Sequence, residues 1–205
     1  MNTLFAYLHR KSRKQKYRLF LELLRPTPQM RILNVGVCGS NIGVREQLES
    51  FYPQRGQITG GSLSPRDVSD YRRCFPEARA LVFDGCALPF ADQSFDIVYS
   101  NAVIEHLPGW DAQQCFASEV QRVGRAWFVA TPNLRYPFEP HYHLPMVQFL
   151  SQARQRRVAS ALGKMPYDHL YLLDKNAMKR LFPGGNVIGC RVTLYPETLI
   201  AYKPA

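Results

Sequence analysis

Three histidines and one carboxylate are the side chains of this 205-residue sequence best suited to taking a proton from an acceptor group. His106 stands in the run Ile104-Glu105-His106-Leu107, while Glu139, His141 and His143 alternate along a proline-rich stretch. A neutral imidazole accepts a proton near physiological pH, so all four are candidate catalytic residues. For His106, a satisfied histidine at a helix end explains its presence equally well. Alternate positions put Glu139, His141 and His143 on one face of an extended segment, a spacing that also suits a divalent ion. No fourth ligand is evident, and Pro140 and Pro145 already make a rigid loop, so no metal is expected. Arg135 carries the forked guanidinium that grips a phosphate, although a solvated surface arginine is the commoner outcome.

A second chemical feature is backbone rather than side chain. The stretch Asn34-Val35-Gly36-Val37-Cys38-Gly39-Ser40-Asn41-Ile42-Gly43 reads as a strand, a glycine-rich turn and a helix start. Small residues there let N–H groups approach a bulky nucleoside ligand, and tight-turn sterics alone explain it as readily. Gly36, Gly39 and Gly43 have the wrong spacing for the dinucleotide fingerprint, and no acid ends the second strand, which disfavours hydride transfer by NAD.

The elements that must position these residues alternate. Short β-rich runs at 31–35, 57–60, 79–83, 95–100 and 125–130 are separated by helical stretches at 43–51, 65–74 and 111–122. That alternation is the signature of a parallel sheet covered by helices. Ser64 before Pro65 marks a helix start. After a helix at 174–182 come two strand-like runs, 187–194 and 197–203, parted only by Tyr195 and Pro196. A hairpin cannot continue a parallel crossover, so this pair is expected to close the sheet in antiparallel fashion. In such α/β sheets ligands sit beyond the carboxyl ends of the strands, which selects the residues after Val35, Gly60, Phe83 and Ser100.

Two segments lie outside that core. Residues 1–27 are expected to form a basic amphipathic N-terminal unit, helical over 3–24, with Leu4, Leu8, Leu19, Leu23 and Leu24 as apolar contacts. Its bland role is a lid helix with a solvated basic face; the other is contact with an anionic membrane surface through residues 9–18. Residues 28–205 form the main domain, with an insertion at 131–157 rich in proline, aromatic and histidine side chains. Loops this long after a strand end usually serve function.

Composition narrows the function classes further. The formal net charge is +10, concentrated in residues 1–31, which gives anionic partners weight. No aromatic-basic stacking motif accompanies it, so nucleic acid is not favoured. No apolar run is long enough to span a bilayer, and five cysteines without a C-x-x-C pair suggest reduced thiols and a cytoplasmic protein.

The most specific run is Asp84-Gly85-Cys86-Ala87-Leu88-Pro89-Phe90, then Asp92-Gln93-Ser94-Phe95-Asp96-Ile97-Val98-Tyr99-Ser100-Asn101, then the Glu105-His106-Leu107 segment. Here the chain resembles the class I S-adenosylmethionine-dependent methyltransferases of type 11. The resemblance implies a Rossmann-like seven-stranded sheet and S-adenosylmethionine as cofactor. It implies that Gly36 to Ser40 lie under the methionine part, that Asp84 and Gly85 read the adenine edge, and that Asn101 and Ala102 face the cofactor near its sulfur. The chain departs from the family where an acid usually stands at Asn34, where glycines stand at Cys38 and Ser40, and where a ribose-gripping acid stands at Ser62. Those departures keep a second expectation open, a methyltransferase-like scaffold or binding protein without catalysis. Thr131-Pro132-Asn133 through Glu139-Pro140-His141 is similar to a branch associated with cell-envelope glycans, which implies a small-molecule or glycan-like acceptor, lipid-linked in one version.

Overall fold

The computed structural model describes residues 3–38 and 47–205. Ser40, together with Gly39, Asn41 and Gly43, lies outside the described residues, as do the first residues of the helix expected over 43–51. In chain order the elements are α1 (Thr3–Leu24), β1 (Ile32–Val35), β2 (Ile58–Ser62), α2 (Pro65–Cys74), β3 (Arg79–Val82), β4 (Phe95–Asn101), α3 (Trp110–Val123) and β5 (Gly124–Pro132). There follow β6 (Phe138–Glu139), β7 (Leu144–Pro145), α4 (Gln152–Ala161), α5 (Lys175–Leu181), β8 (Asn186–Cys190) and β9 (Thr198–Lys203).

Seven strands form one sheet in the order β3-β2-β1-β4-β5-β9-β8. The first five are parallel, while β9 runs antiparallel to both β5 and β8. This is the expected α/β, Rossmann-like sheet closed by an antiparallel pair. The order reverses between β1 and β4, where Val35 pairs with Gly61 on one side and Ser100 on the other. A crevice opens at such a reversal because neighbouring connections leave toward opposite faces.

All four residues of β1 are buried, as a central parallel strand covered on both faces requires. One face packs on α3 and α5 through Phe116, Val120, Val123, Met178 and Phe182. The other packs on α1 and α2 through Phe20, Leu24, Val68, Tyr71 and Phe75. Phe20 is fully buried and sets its ring edge-on against Tyr99 and Phe128, at 5.4 and 5.7 Å. The cap of α2 is the expected one: Ser64 accepts the Asp67 N–H at 3.2 Å and Pro65 occupies the first turn.

Several boundaries differ from the sequence reading. The described end of the 43–51 segment is a single 3-10 turn, Leu48–Ser50. The strand expected over 187–194 stops at Cys190, so a seven-residue connection replaces a tight turn. Within it, Glu197 accepts the Val192 N–H at 3.0 Å, and its backbone carbonyl accepts the Asn133 N–H at 2.9 Å. The segment after β5 continues to Asp174 and contains α4, with its own small core of Tyr142, Val147, Ala159 and Leu170. It forms a hood over the carboxyl end of β5, closed at its base by the bridge between Asn133 and Leu173.

Candidate active site

At the floor of the crevice, Asn34 does not stand alone. Its amide donates to Oε1 of Glu49 at 2.7 Å, and the Tyr71 hydroxyl donates to the same oxygen at 2.8 Å. Glu49 is fully buried, and its Oε2 has no hydrogen-bond partner among the described residues. Burial raises its pKa, partly offset by the Asn34 bond. A carboxylate is therefore present at the base of the glycine turn, supplied from fifteen residues downstream of Asn34. The sequence reading missed Glu49. Its only signal was an acid set between Leu48 and Tyr52, both of which are buried.

Gly36 takes φ of +92°, and a Cβ there would sit 2.1 Å from Val103 Cγ2. Only glycine fits that backbone and that contact. The N–H groups of Gly36 and Val37 both donate to the Gly61 carbonyl, at 2.8 and 3.2 Å. They are not offered to a ligand, which limits the expected backbone cradle to residues beyond Val37. Cys38 is exposed, and its carbonyl accepts the Gln47 side-chain amide.

Around the rim, Ser62 turns its hydroxyl back to the Ser64 N–H at 3.3 Å. It is part of the turn that starts α2 and supplies no negative charge. Asp84 is exposed; Oδ1 accepts the Cys86 N–H at 2.8 Å, and Oδ2 makes no hydrogen bond among the described residues. Gly85 is half-buried, and a Cβ on it would sit 2.9 Å from the Phe116 ring. Arg122 of α3 anchors this loop, reaching the carbonyls of Leu88 and Phe90 and the carboxylates of Asp92 and Glu119 within 3.1 Å. The Asp-to-Asn run of the sequence is thus a built loop with a fixed floor.

At the end of β4, Ala102 is exposed in the left-handed region, with φ of +59°. The Asn101 side chain is engaged from an unexpected direction. Lys16 of α1 donates to its Oδ1 at 2.7 Å. Lys16 is only 8% exposed, and burial first, then Arg13, lowers its pKa to about 8. It therefore leaves the basic stretch 9–18 as a surface group. Lys11, Lys14 and Arg18 remain exposed.

Just beyond Asn101 three of the four expected proton-transfer residues converge, with one addition. Glu105 is fully buried; Oε2 accepts the Thr131 hydroxyl at 2.9 Å, and Oε1 has no hydrogen-bond partner among the described residues. The hood brings His141 down so that Nε2 lies 3.9 Å from Glu105 Oε1, while Nδ1 bonds Glu139 Oε1 at 2.6 Å. His106 and His141 meet edge to face at 4.9 Å, and Tyr167 stacks on His106 at 5.4 Å. Burial lowers the pKa of His106. Burial also acts to lower His141, but the bond and charge of Glu139, then Glu105, outweigh it and raise the pKa. Glu139 shifts the opposite way: burial opposes ionisation, and His141 with two backbone N–H groups overcomes it.

His143 does not join this group. Its backbone is left-handed, at φ of +53°, and residues 140–143 form a turn, so the alternation assumed for Glu139, His141 and His143 ends with β6 at Glu139. Arg135 is mostly exposed and pairs with Asp174, the cap of α5, at 3.2 Å. No disulfide joins the described cysteines, and no helix among the described residues is long and apolar enough to cross a membrane.

Comparison with known proteins adds three findings. Residues 33–126 match the model of a methyltransferase-domain family. No curated protein matches the sequence. Among solved structures, the N-methyltransferase NodS from Bradyrhizobium japonicum WM9, in complex with S-adenosyl-L-homocysteine, is similar with a TM-score of 0.62 and 14% identity, covering 95% of this chain and 86% of that one. An S-adenosylmethionine-dependent methyltransferase from Thermotoga maritima gives 0.60 and 15%, covering 96% and 92%. The YcgJ protein from Bacillus subtilis gives 0.58 and 14%, covering 86% and 70%. At these identities the structural likeness is one of fold.

Proposed function

We propose, on the premise that the chain belongs to the class I S-adenosylmethionine-dependent methyltransferases through its methyltransferase domain, that it methylates a hydroxyl of a small, glycan-like acceptor held under the hood. When bound, the cofactor supplies an electrophilic methyl group on a sulfonium. The chain's residues fit it: buried Glu49, joined to Asn34 and with Oε2 unpartnered among the described residues, places beside the end of β1 a carboxyl group such as the resemblance expects there. Asp84, whose Oδ2 makes no hydrogen bond among the described residues, and Gly85 would hold the adenine edge, with Asn101 and Ala102 near the sulfur. Ser62 gives the ribose no charged acceptor, so more of the binding falls to Glu49 and Asp84.

The observation that carries the acceptor reading is the convergence of Glu105, His106 and His141 beside the end of β4, with Glu139 behind His141. Such a site offers several hydrogen-bond acceptors at close quarters, which suits a ligand rich in hydroxyls. A carboxylate acceptor would meet two buried carboxylates of like charge, which disfavours it. The chain's task is then orientation and water exclusion. Asn101 and Glu105 stand four residues apart on the segment leaving β4, so donor and acceptor would meet across it.

The test is transfer from methyl-labelled S-adenosylmethionine to a panel of mono- and disaccharides and their lipid-linked forms, read by mass. Transfer to oxygen that falls in Asp84→Ala and His141→Ala, with melting unchanged, is expected. Transfer only to amines or thiols, or none with any hydroxyl compound, would overturn the acceptor reading.

A further inference from the structure

We propose that Glu105, His106 and His141 form a binding site for one divalent transition-metal ion of the zinc type, with the acceptor's hydroxyl oxygens as its remaining ligands. Each residue contributes one ligand atom, and the three atoms lie within 4.8 Å of one another. An ion held at about 2.0 to 2.1 Å from each, with tetrahedral angles, needs ligand separations of about 3.4 Å. The His141 Nε2 to Glu105 Oε1 distance of 3.9 Å is already near that. The widest pair would close by somewhat over ~1 Å, within reach of rotamer adjustment in half-buried imidazoles.

Three further features separate this group from a chance cluster. Glu105 is fully buried, Thr131 fixes its Oε2, and its Oε1 lacks a hydrogen-bond partner among the described residues. A buried anionic oxygen left in that state is unfavourable, and a cation supplies what it lacks. Both imidazoles are engaged on Nδ1: His141 by Glu139 at 2.6 Å, and His106 by the His169 carbonyl at 3.3 Å. That leaves Nε2 of each for the shared centre. A carboxylate behind a ligating imidazole is the usual means of fixing its tautomer and raising its basicity. Two nitrogens and one oxygen select a borderline ion over magnesium or calcium, which prefer all-oxygen sites. Three protein ligands also leave positions open, as catalytic rather than structural sites do.

The site differs from the one the residue spacing suggested. His143 is absent from it, Glu139 supports rather than ligates, and Glu105 enters from the segment after β4. What the ion would hold rests on the hydroxyl-acceptor reading above; the ion site itself does not.

The experiment uses the full chain, stripped with a chelator and titrated with Co2+ followed by its visible absorption, and with Zn2+ by competition against a chromophoric chelator. One equivalent is expected to bind and to raise the melting temperature. His106→Ala and His141→Ala should each lose at least about tenfold in affinity, and Glu139→Gln about 10- to 100-fold. His143→Ala and alkylation of the exposed thiols should change nothing. His106 is half-exposed, so its variant tests the site even where replacing buried Glu105 upsets folding. Binding that survives both histidine variants, disappears on alkylation, or never reaches one equivalent at micromolar ion overturns the site, whether or not methyl transfer is seen. Binding that follows the variants as stated supports the site even if no hydroxyl compound is methylated. A parallel titration with S-adenosylhomocysteine reports on the cofactor crevice separately.

Discussion

Lys16 is a cationic side chain inserted beneath α1, and its burial has a measurable signature in pH. The ammonium donates to Asn101 Oδ1 at 2.7 Å. Arg13 repels it, while Glu105, Glu197 and Cys190 act in its favour; burial dominates and lowers its pKa from 10.5 to about 8. A lysine whose folded pKa lies below its unfolded value makes the unfolded chain bind more protons between those values. The cost of keeping it charged is therefore fully present below about pH 8 and is relieved as pH rises toward 10.5. Integrated from about pH 7 to about pH 10, the relief is about 2.5 kcal/mol. Urea unfolding of the protein and of Lys16→Met, followed by tryptophan fluorescence at several pH values, isolates this contribution. Titrating groups that do not interact with Lys16 cancel in the difference. The stability of the native chain relative to the variant should rise by about 2 to 3 kcal/mol over that interval. Curves that run parallel in pH would refute a buried, charged Lys16, and a gap that falls with pH would mean its charge is net stabilising.

Glu49→Gln keeps the oxygen that Asn34 and Tyr71 bond but replaces the second carboxyl oxygen by an amide NH2; calorimetric titration with S-adenosylhomocysteine should show affinity about 10- to 100-fold weaker, and unchanged affinity would remove Glu49 from the site. Phe20→Ala empties the contact between α1 and the sheet and should cost about 3 to 5 kcal/mol in chemical denaturation. Replacing exposed Lys11, Lys14 and Arg18 together by glutamine should abolish co-sedimentation with anionic vesicles, a binding that should also fade as salt rises; equal binding to neutral vesicles would argue against an electrostatic surface contact.

Much of the sheet was legible because its central strands are short apolar runs bounded by turn residues, and periodicity needs no partner to be seen. The resemblance carried by Asp84 to Asn101 added the strand order. What stayed hidden depends on contacts distant in sequence. The early end of β8 is set by Glu197 and by the tie between Asn133 and the 191–197 connection. α4 is rich in arginine and glutamine and docks through Ala159, Val158 and the buried amide of Gln155, too thin an apolar face to register as a helix. Glu105 stood in the sequence beside His106, yet only Thr131, on another strand, reveals it as a fixed carboxylate. The pairing of His143 with His141 failed for a local reason: β6 ends at Glu139, and a period of two holds only while a segment stays extended.

The exchange of partners between Asn34 and Glu49 also governs how this crevice tolerates change. Writing aspartate at position 34 would set two carboxyl groups about as close as the present 2.7 Å bond in a dry pocket. One of them would have to capture a proton or drive the other outward, loosening the Tyr71 hydroxyl with it. A substitution that adds an acid at the end of β1 would here be an injury. The two side chains therefore act as a pair, and a change at one position calls for a change at the other.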